Sequence, residues 1–236
     1  MQMKRLVFSC FFVLFLGLTV YGAVPEEQPV RGYVALTFDD GPSGALTETL
    51  LDGLRERNAR ATFFLCGYRM EQYPSALSRY LAEGHELGVH STVHTDLTRL
   101  TPEQLHQDMG QTAQKIYEAT GKRPLLMRPP GGAYNEGVQR EAKEEGLSII
   151  LWSVDPKDWA SRDTGAVLHT MAVETGNGDI ILMHDMSVSS VQAALRLVDQ
   201  LQAEGYEFVT VSELAALGGK SLEPGEVYEE FPVGTE

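Results

Sequence analysis

YVALTFDDGP (33–42) carries a short, mostly apolar run into two adjacent carboxylates, Asp39 and Asp40, and then a Gly-Pro turn. A run apolar on both faces belongs to a sheet covered on both sides, the usual setting of parallel strands. Outward from it the pattern repeats. Strand-like runs at ATFFLCG (61–67), HELGVH (85–90), LLMR (125–128), SIILWSVD (148–155), DIILMHD (179–185) and YEFVTV (206–211) alternate with helical patterns at 44–57, 74–82, 101–119, 136–145, 166–174 and 188–204. Glu83-Gly84, Thr120-Gly121 and Glu145-Gly146 end three of those helices with glycine where a left-handed cap is wanted. Strand–helix alternation of this kind predicts an α/β fold, either a doubly wound sheet or a small (β/α) barrel.

The flanks differ in kind. Lys4 and Arg5 precede an apolar run, Leu6–Val20, followed by Gly22 and Ala23. A basic start, a short hydrophobic stretch and a small-residue exit make up a secretory signal. The run is shorter than the roughly 20 residues that cross a bilayer. Residues 1–23 are therefore expected to be a signal peptide, with an uncleaved N-terminal anchor as the rival, and the protein to be exported to the cell envelope or beyond. Residues 24–31 read as a linker, 32–217 as one catalytic domain, and 218–236 as an acidic, turn-rich tail that packs loosely or stays mobile.

Of the 236 residues, 33 are Asp or Glu against 19 Lys or Arg, a formal net charge of −14. A chain this acidic has no concentrated basic surface for phosphate, so a nucleic-acid partner is not expected. With cysteine only at Cys10 and Cys66, a disulfide-stapled scaffold is excluded. A monomer is expected.

The chemistry sits at strand ends: Asp39-Asp40, His90, Arg128, Asp155 to Trp159, and His184. In a parallel α/β fold those ends converge on the face where ligands bind. Each feature also has a plainer reading. Asp-Asp-Gly-Pro forms turns, HxxxH occurs on exposed helix faces, and RPPGG (128–132) makes a rigid loop. Together they say more. Asp40, His90 and His94 supply a carboxylate and two imidazoles, a set suited to a divalent transition metal with an open position for water. The glycines of RPPGG let a backbone N–H approach a ligand. Trp159, beyond its strand, is placed to stack on a sugar, and His184 can protonate a leaving group near neutral pH. His85, His106 and His169 have no matching partners nearby in sequence and read as surface or structural residues.

In this order, TFDDGP (37–42), HSTVH (90–94), RPPGG (128–132), DPKDW (155–159) and LMH (182–184) resemble the five motifs of the polysaccharide deacetylases, carbohydrate esterase family four. The resemblance runs from about Tyr33 to Leu217. It implies a distorted, incomplete (β/α) barrel. It also implies a divalent metal on Asp40, His90 and His94, zinc above all, with Co2+, Ni2+ or Mn2+ as alternatives. Asp39 would be the general base and His184 the general acid. Arg128 would orient Asp39 and Asp158 would orient His184. The Gly131 N–H would face the oxyanion, and Trp159 and Leu182 would wall the acetyl pocket. Gly131 itself departs from the family, which often carries an aromatic residue there.

The implied activity is removal of N-acetyl groups from an amino-sugar polymer, peptidoglycan N-acetylglucosamine or chitooligosaccharide, with release of acetate. An O-acetyl (xylan) esterase is the alternative on the same residues, and a non-catalytic carbohydrate-binding protein ranks last. No membrane partner is expected beyond the possible anchor.

Overall fold

A computed structural model describes residues 30–234. The expected signal segment and most of the expected linker lie outside the described residues. Eight strands run through the rest: β1 (Gly32–Asp39), β2 (Thr62–Leu65), β3 (Glu86–Val89), β4 (Leu126–Met127), β5 (Ser148–Ile150), β6 (Ile180–His184), β7 (Tyr206–Phe208) and β8 (Val227–Tyr228). The helices between and after them are α1 (Ala45–Glu56), α2 (Gly67–Gln72), α3 (Ser75–Ala82), α4 (Pro102–Thr120), α5 (Glu136–Glu144), α6 (Thr164–Glu174), α7 (Val188–Ala203) and α8 (Val211–Leu217).

All strand pairs are parallel, in the order β6-β1-β2-β3-β4-β5-β8, with β7 paired to the first residues of β1. Beyond β5 the chain crosses to the other edge. There the Val154 N–H donates to the Ile180 carbonyl at 3.2 Å and the Leu182 N–H to the Val154 carbonyl at 2.9 Å. A short bridge thus brings the two edges together where a full barrel would have a ladder. This is the expected distorted, incomplete (β/α) barrel.

Side chains alternate along each strand, and the alternation sorts the interior. Val34, Leu36 and Phe38 of β1 join the larger core, which includes Leu50, Leu54 and Leu197 of the covering helices. Ala35 faces the other way, into a smaller cluster with Phe64, Leu126, Ile150 and Ile180. Thr37 and Asp39 follow Ala35 on that inner face, as Arg128 follows Leu126 and as Leu182 and His184 follow Ile180. The inner face is therefore apolar low in the barrel and becomes polar at the strand ends.

The expected strands end earlier than read, at Val89, Met127 and Ile150, because the backbone leaves the ladder where its side chains enter the site. YEFVTV is shortened too: β7 stops at Phe208, and Thr210 and Glu213 form a capping box that starts α8. The three glycine exits hold, with φ of 84° at Gly84, 73° at Gly121 and 75° at Gly146.

The tail is not loose. β8 adds to β5, pairing Ile149 with Val227 and Ile150 with Tyr228. Phe231 is 1% exposed and closes the base of the inner cluster with Val211 and Leu214 of α8. Its N–H donates to the Gly178 carbonyl at 2.9 Å, and a Cβ on Gly178 would lie 2.4 Å from the Phe231 carbonyl oxygen. Composition hid this, because the glutamates face outward while Leu222, Tyr228 and Phe231 face in. Burying a phenylalanine contributes roughly 1.5–3 kcal/mol.

Candidate active site

Two loops at the strand ends, those after β1 and β3, bring the metal-type donors together. One oxygen of Asp40 and one nitrogen each of His90 and His94 all lie within 4.8 Å of one another. Asp40 Oδ1 is 3.3 Å from the Nε2 of both histidines. His90 Nδ1 lies 2.8 Å from the Arg128 carbonyl oxygen, so that nitrogen carries a proton and Nε2 is the atom that faces Asp40. Asp40, Ser91 and His94 have φ of 68°, 75° and 57°, a left-handed conformation that only tertiary contacts sustain in such residues.

Asp40 Oδ1 is buried and accepts no hydrogen bond. Burial opposes its charge, but the interactions with His90, His94 and His184 outweigh that and hold the carboxyl below its ordinary value. A carboxylate oxygen without a hydrogen bond, set between two imidazole nitrogens, is a donor set that fits a divalent cation.

Next to this set stand Asp39 and Arg128. Arg128 is fully buried. Its Nη1 donates to Asp39 Oδ1 at 2.8 Å and to Thr37 Oγ1 at 2.7 Å. Its Nε and Nη2 donate to the Ile150 and Leu151 carbonyls at 3.0 and 2.7 Å. The guanidinium lies over Phe64, 4.3 Å from the ring centroid. Burial pushes the guanidinium below its ordinary value, and Asp39 counters it. Asp39 Oδ2 is left 3.8 Å from His90 Nε2.

Beside the end of β1 stand His184 and Asp158, with His184 paired to Asp39 in the β1–β6 register. His184 Nδ1 lies 2.9 Å from Asp158 Oδ1, which directs Nε2 away from Asp158. Burial works against a charged imidazole here, but Asp158, with Asp39 and Asp40 beyond it, raises it to about 9.

The remaining expected residues have these places. Leu182 is buried two residues before His184 on β6, on the same face. Trp159 follows Asp158 and is 65% exposed. Gly131 has φ of 62° in a single turn, Pro130–Gly132, and a Cβ there would meet nothing within 4 Å.

Sequence reasoning missed two buried carboxylates that hold the loops. Both oxygens of Asp108 accept the Thr92 N–H at 3.0 Å, between the two site histidines. Asp185, fully buried, accepts from Ser43 Oγ at 2.8 Å and from the Thr47 hydroxyl, pinning the turn that follows Asp40. Asp185 directly follows His184 and was open to notice; nothing in the sequence around Asp108 marks it. Cys66 is buried beside the site, and its thiol is pushed well above the ordinary range by burial and by Asp40 and Asp39, so it is not a nucleophile.

This fold, with these residues at its strand ends, defines a metal-type hydrolase site on a half-barrel. Residues 26–150 match the polysaccharide deacetylase family, and the chain belongs to that family. It is 40% identical over 207 residues, 87% of its length, to the peptidoglycan-N-acetylglucosamine deacetylase PgdA of Listeria monocytogenes, of which it spans 43%. To a peptidoglycan-N-acetylglucosamine deacetylase of Bacillus cereus it is 39% identical over 196 residues, 81% of this chain and 90% of that one. Among solved structures, a family 4 acetyl xylan esterase from Clostridium thermocellum in complex with a cobalt ion superposes with a TM-score of 0.79 at 29% identity, covering 85% of this chain and all of the other. The family is metal-dependent.

Proposed function

We propose that this protein is exported and removes N-acetyl groups from peptidoglycan N-acetylglucosamine, using a divalent metal, zinc in the first place, held by Asp40, His90 and His94. The observation that carries the reading is the pair of ion pairs beside those ligands, Asp39–Arg128 and His184–Asp158. One offers a carboxylate paired with a guanidinium, the other an imidazole whose proton affinity a carboxylate raises. A base and an acid on either side of one electrophile are what hydrolysis of an amide requires. The substrate follows the relatives named for peptidoglycan, and export follows the N-terminal signal pattern.

Asp40, His90 and His94 would hold the divalent ion, which would supply polarisation of the acetyl carbonyl and a lowered pKa for water. Asp39 accepts the proton of the attacking water, with Arg128 keeping its carboxylate in place. The Gly131 N–H is offered to the oxyanion. His184 Nε2 protonates the departing amine, and acetate leaves. Trp159 and Leu182 wall the space for the acetyl methyl.

An O-acetyl esterase activity is the second reading, favoured by the superposition on an acetyl xylan esterase. Acetate release from peptidoglycan, N-acetylated chitooligosaccharides and acetylated xylan, measured side by side with zinc and then with a chelator, separates the two. Chelator-sensitive release from the amino sugars is expected. Release from xylan alone transfers the assignment to the esterase, and full activity in metal-free protein rejects both.

A further inference from the structure

The outer helical layer carries a second set of metal-type donors. His106 on α4 lacks matching neighbours in sequence, but the fold sets it against α5. Its Nδ1 lies 2.8 Å from Glu141 Oε1 and 3.2 Å from Glu145 Oε1. One donor atom from each of the three lies within 4.8 Å of the other two, the condition that Asp40, His90 and His94 also meet.

Two further observations separate this cluster from an ordinary surface ion pair. Glu141 is only 7% exposed, and among the described residues its ion pair is with His106, with no Lys or Arg in reach of it or of Glu145. A buried carboxylate needs a compensating charge. The second observation is Gly110, one turn past His106 in the interior of α4, where glycine costs about 1 kcal/mol relative to alanine. A Cβ there would lie 3.2 Å from Glu145 Oε1. The missing side chain leaves the space through which Glu145 reaches His106.

We propose that His106, Glu141 and Glu145 form a second divalent transition-metal site, a clasp between α4 and α5 separate from the ligands at the strand ends. One imidazole and two carboxylates suit Zn2+, Mn2+, Co2+ or Ni2+, with water completing the coordination. A proton on His106 is the competing occupant, since Glu141, Glu145 and Glu144 raise that imidazole above its ordinary value. The clasp braces the helix whose Asp108, two residues after His106, holds Thr92 in the first site.

The test is equilibrium dialysis of the full chain against Zn2+ with bound metal counted by mass spectrometry. Two ions per chain are expected for the parent protein, one for His106→Ala, and one for the His90→Ala/His94→Ala double variant. A single ion in the parent, or two in His106→Ala, overturns the proposal. The His106 side chain is 70% exposed, so its truncation removes no core packing, and circular dichroism of His106→Ala checks that the fold survives the loss of Glu141's partner. His106→Ala is expected to keep full acetate release at saturating zinc. Gly110→Ala is expected to weaken the second ion alone, by about tenfold or more. Finally, zinc raises the melting temperature of the His90→Ala/His94→Ala protein, and adding His106→Ala removes that rise. Persistence of the rise in the triple variant also overturns the proposal.

Discussion

Asp158 holds His184 at two points: one carboxylate oxygen lies 2.9 Å from the imidazole Nδ1 and the other accepts the His184 backbone N–H at 2.9 Å. The same carboxylate thus sets the position of the strand end, the direction of the ring and its proton affinity. His184 stands at about 9 because Asp158, helped by Asp39 and Asp40, overcomes the opposing effect of burial.

Asp158→Asn keeps the shape and removes the charge. The imidazole then loses its proton at lower pH, so the alkaline limb of the pH–rate profile moves toward neutrality. Turnover falls by about 10² or more while zinc affinity stays. An unmoved alkaline limb would sink the assignment of His184 as the acid.

Arg128→Met leaves Asp39 as a buried carboxylate without its cation, and the Ile150 and Leu151 carbonyls without donors. Breaking a buried pair in this way costs roughly 3–5 kcal/mol. Urea unfolding measures it. Arg128→Lys recovers little, because an ammonium cannot span the positions that the planar guanidinium reaches.

Asp108→Ala frees the Thr92 N–H between His90 and His94 without touching either. Zinc affinity at the first site is expected to fall on the order of 10–100-fold, read by competition with a chelator, with the circular dichroism spectrum unchanged. Asp108→Asn keeps one acceptor and lies between the two.

Stability on the acid side depends on His85. Its Nδ1 accepts the Ala61 N–H at 3.1 Å, and its Nε2 is buried without a partner. Burial lowers the imidazole from 6.5 to about 4. The unfolded chain therefore binds a proton that the folded one refuses, and stability falls as pH drops from 6.5 through about 4. The loss amounts to roughly 3 kcal/mol at most. His85→Gln, which retains an acceptor for Ala61, is expected to flatten the urea-midpoint profile over that window. An unchanged slope would assign the acid sensitivity elsewhere.

How much of this was legible in the sequence differs residue by residue. Asp40, His90 and His94 were readable because each lies within a few residues of a strand end, and parallel strands bring their ends to one face whatever the loops do. The period of two along β1, β4 and β6 then turns Asp39, Arg128 and His184 to the same interior. Asp108 was not readable, since its role depends on how α4 crosses behind the HSTVH loop.

Local pattern alone determined the α/β class, the helix limits with their glycine exits, and the chemical character of the strand ends, because periodicity and strand-end position are properties of neighbouring residues. Packing decided the rest: the docking of the tail through Phe231, the buried carboxylates that hold the site loops, and the meeting of His106 with Glu141 and Glu145. Glu141 lies 35 residues after His106, and a contact at that separation is set by which helix faces the core buries, a quantity that no short stretch of chain encodes.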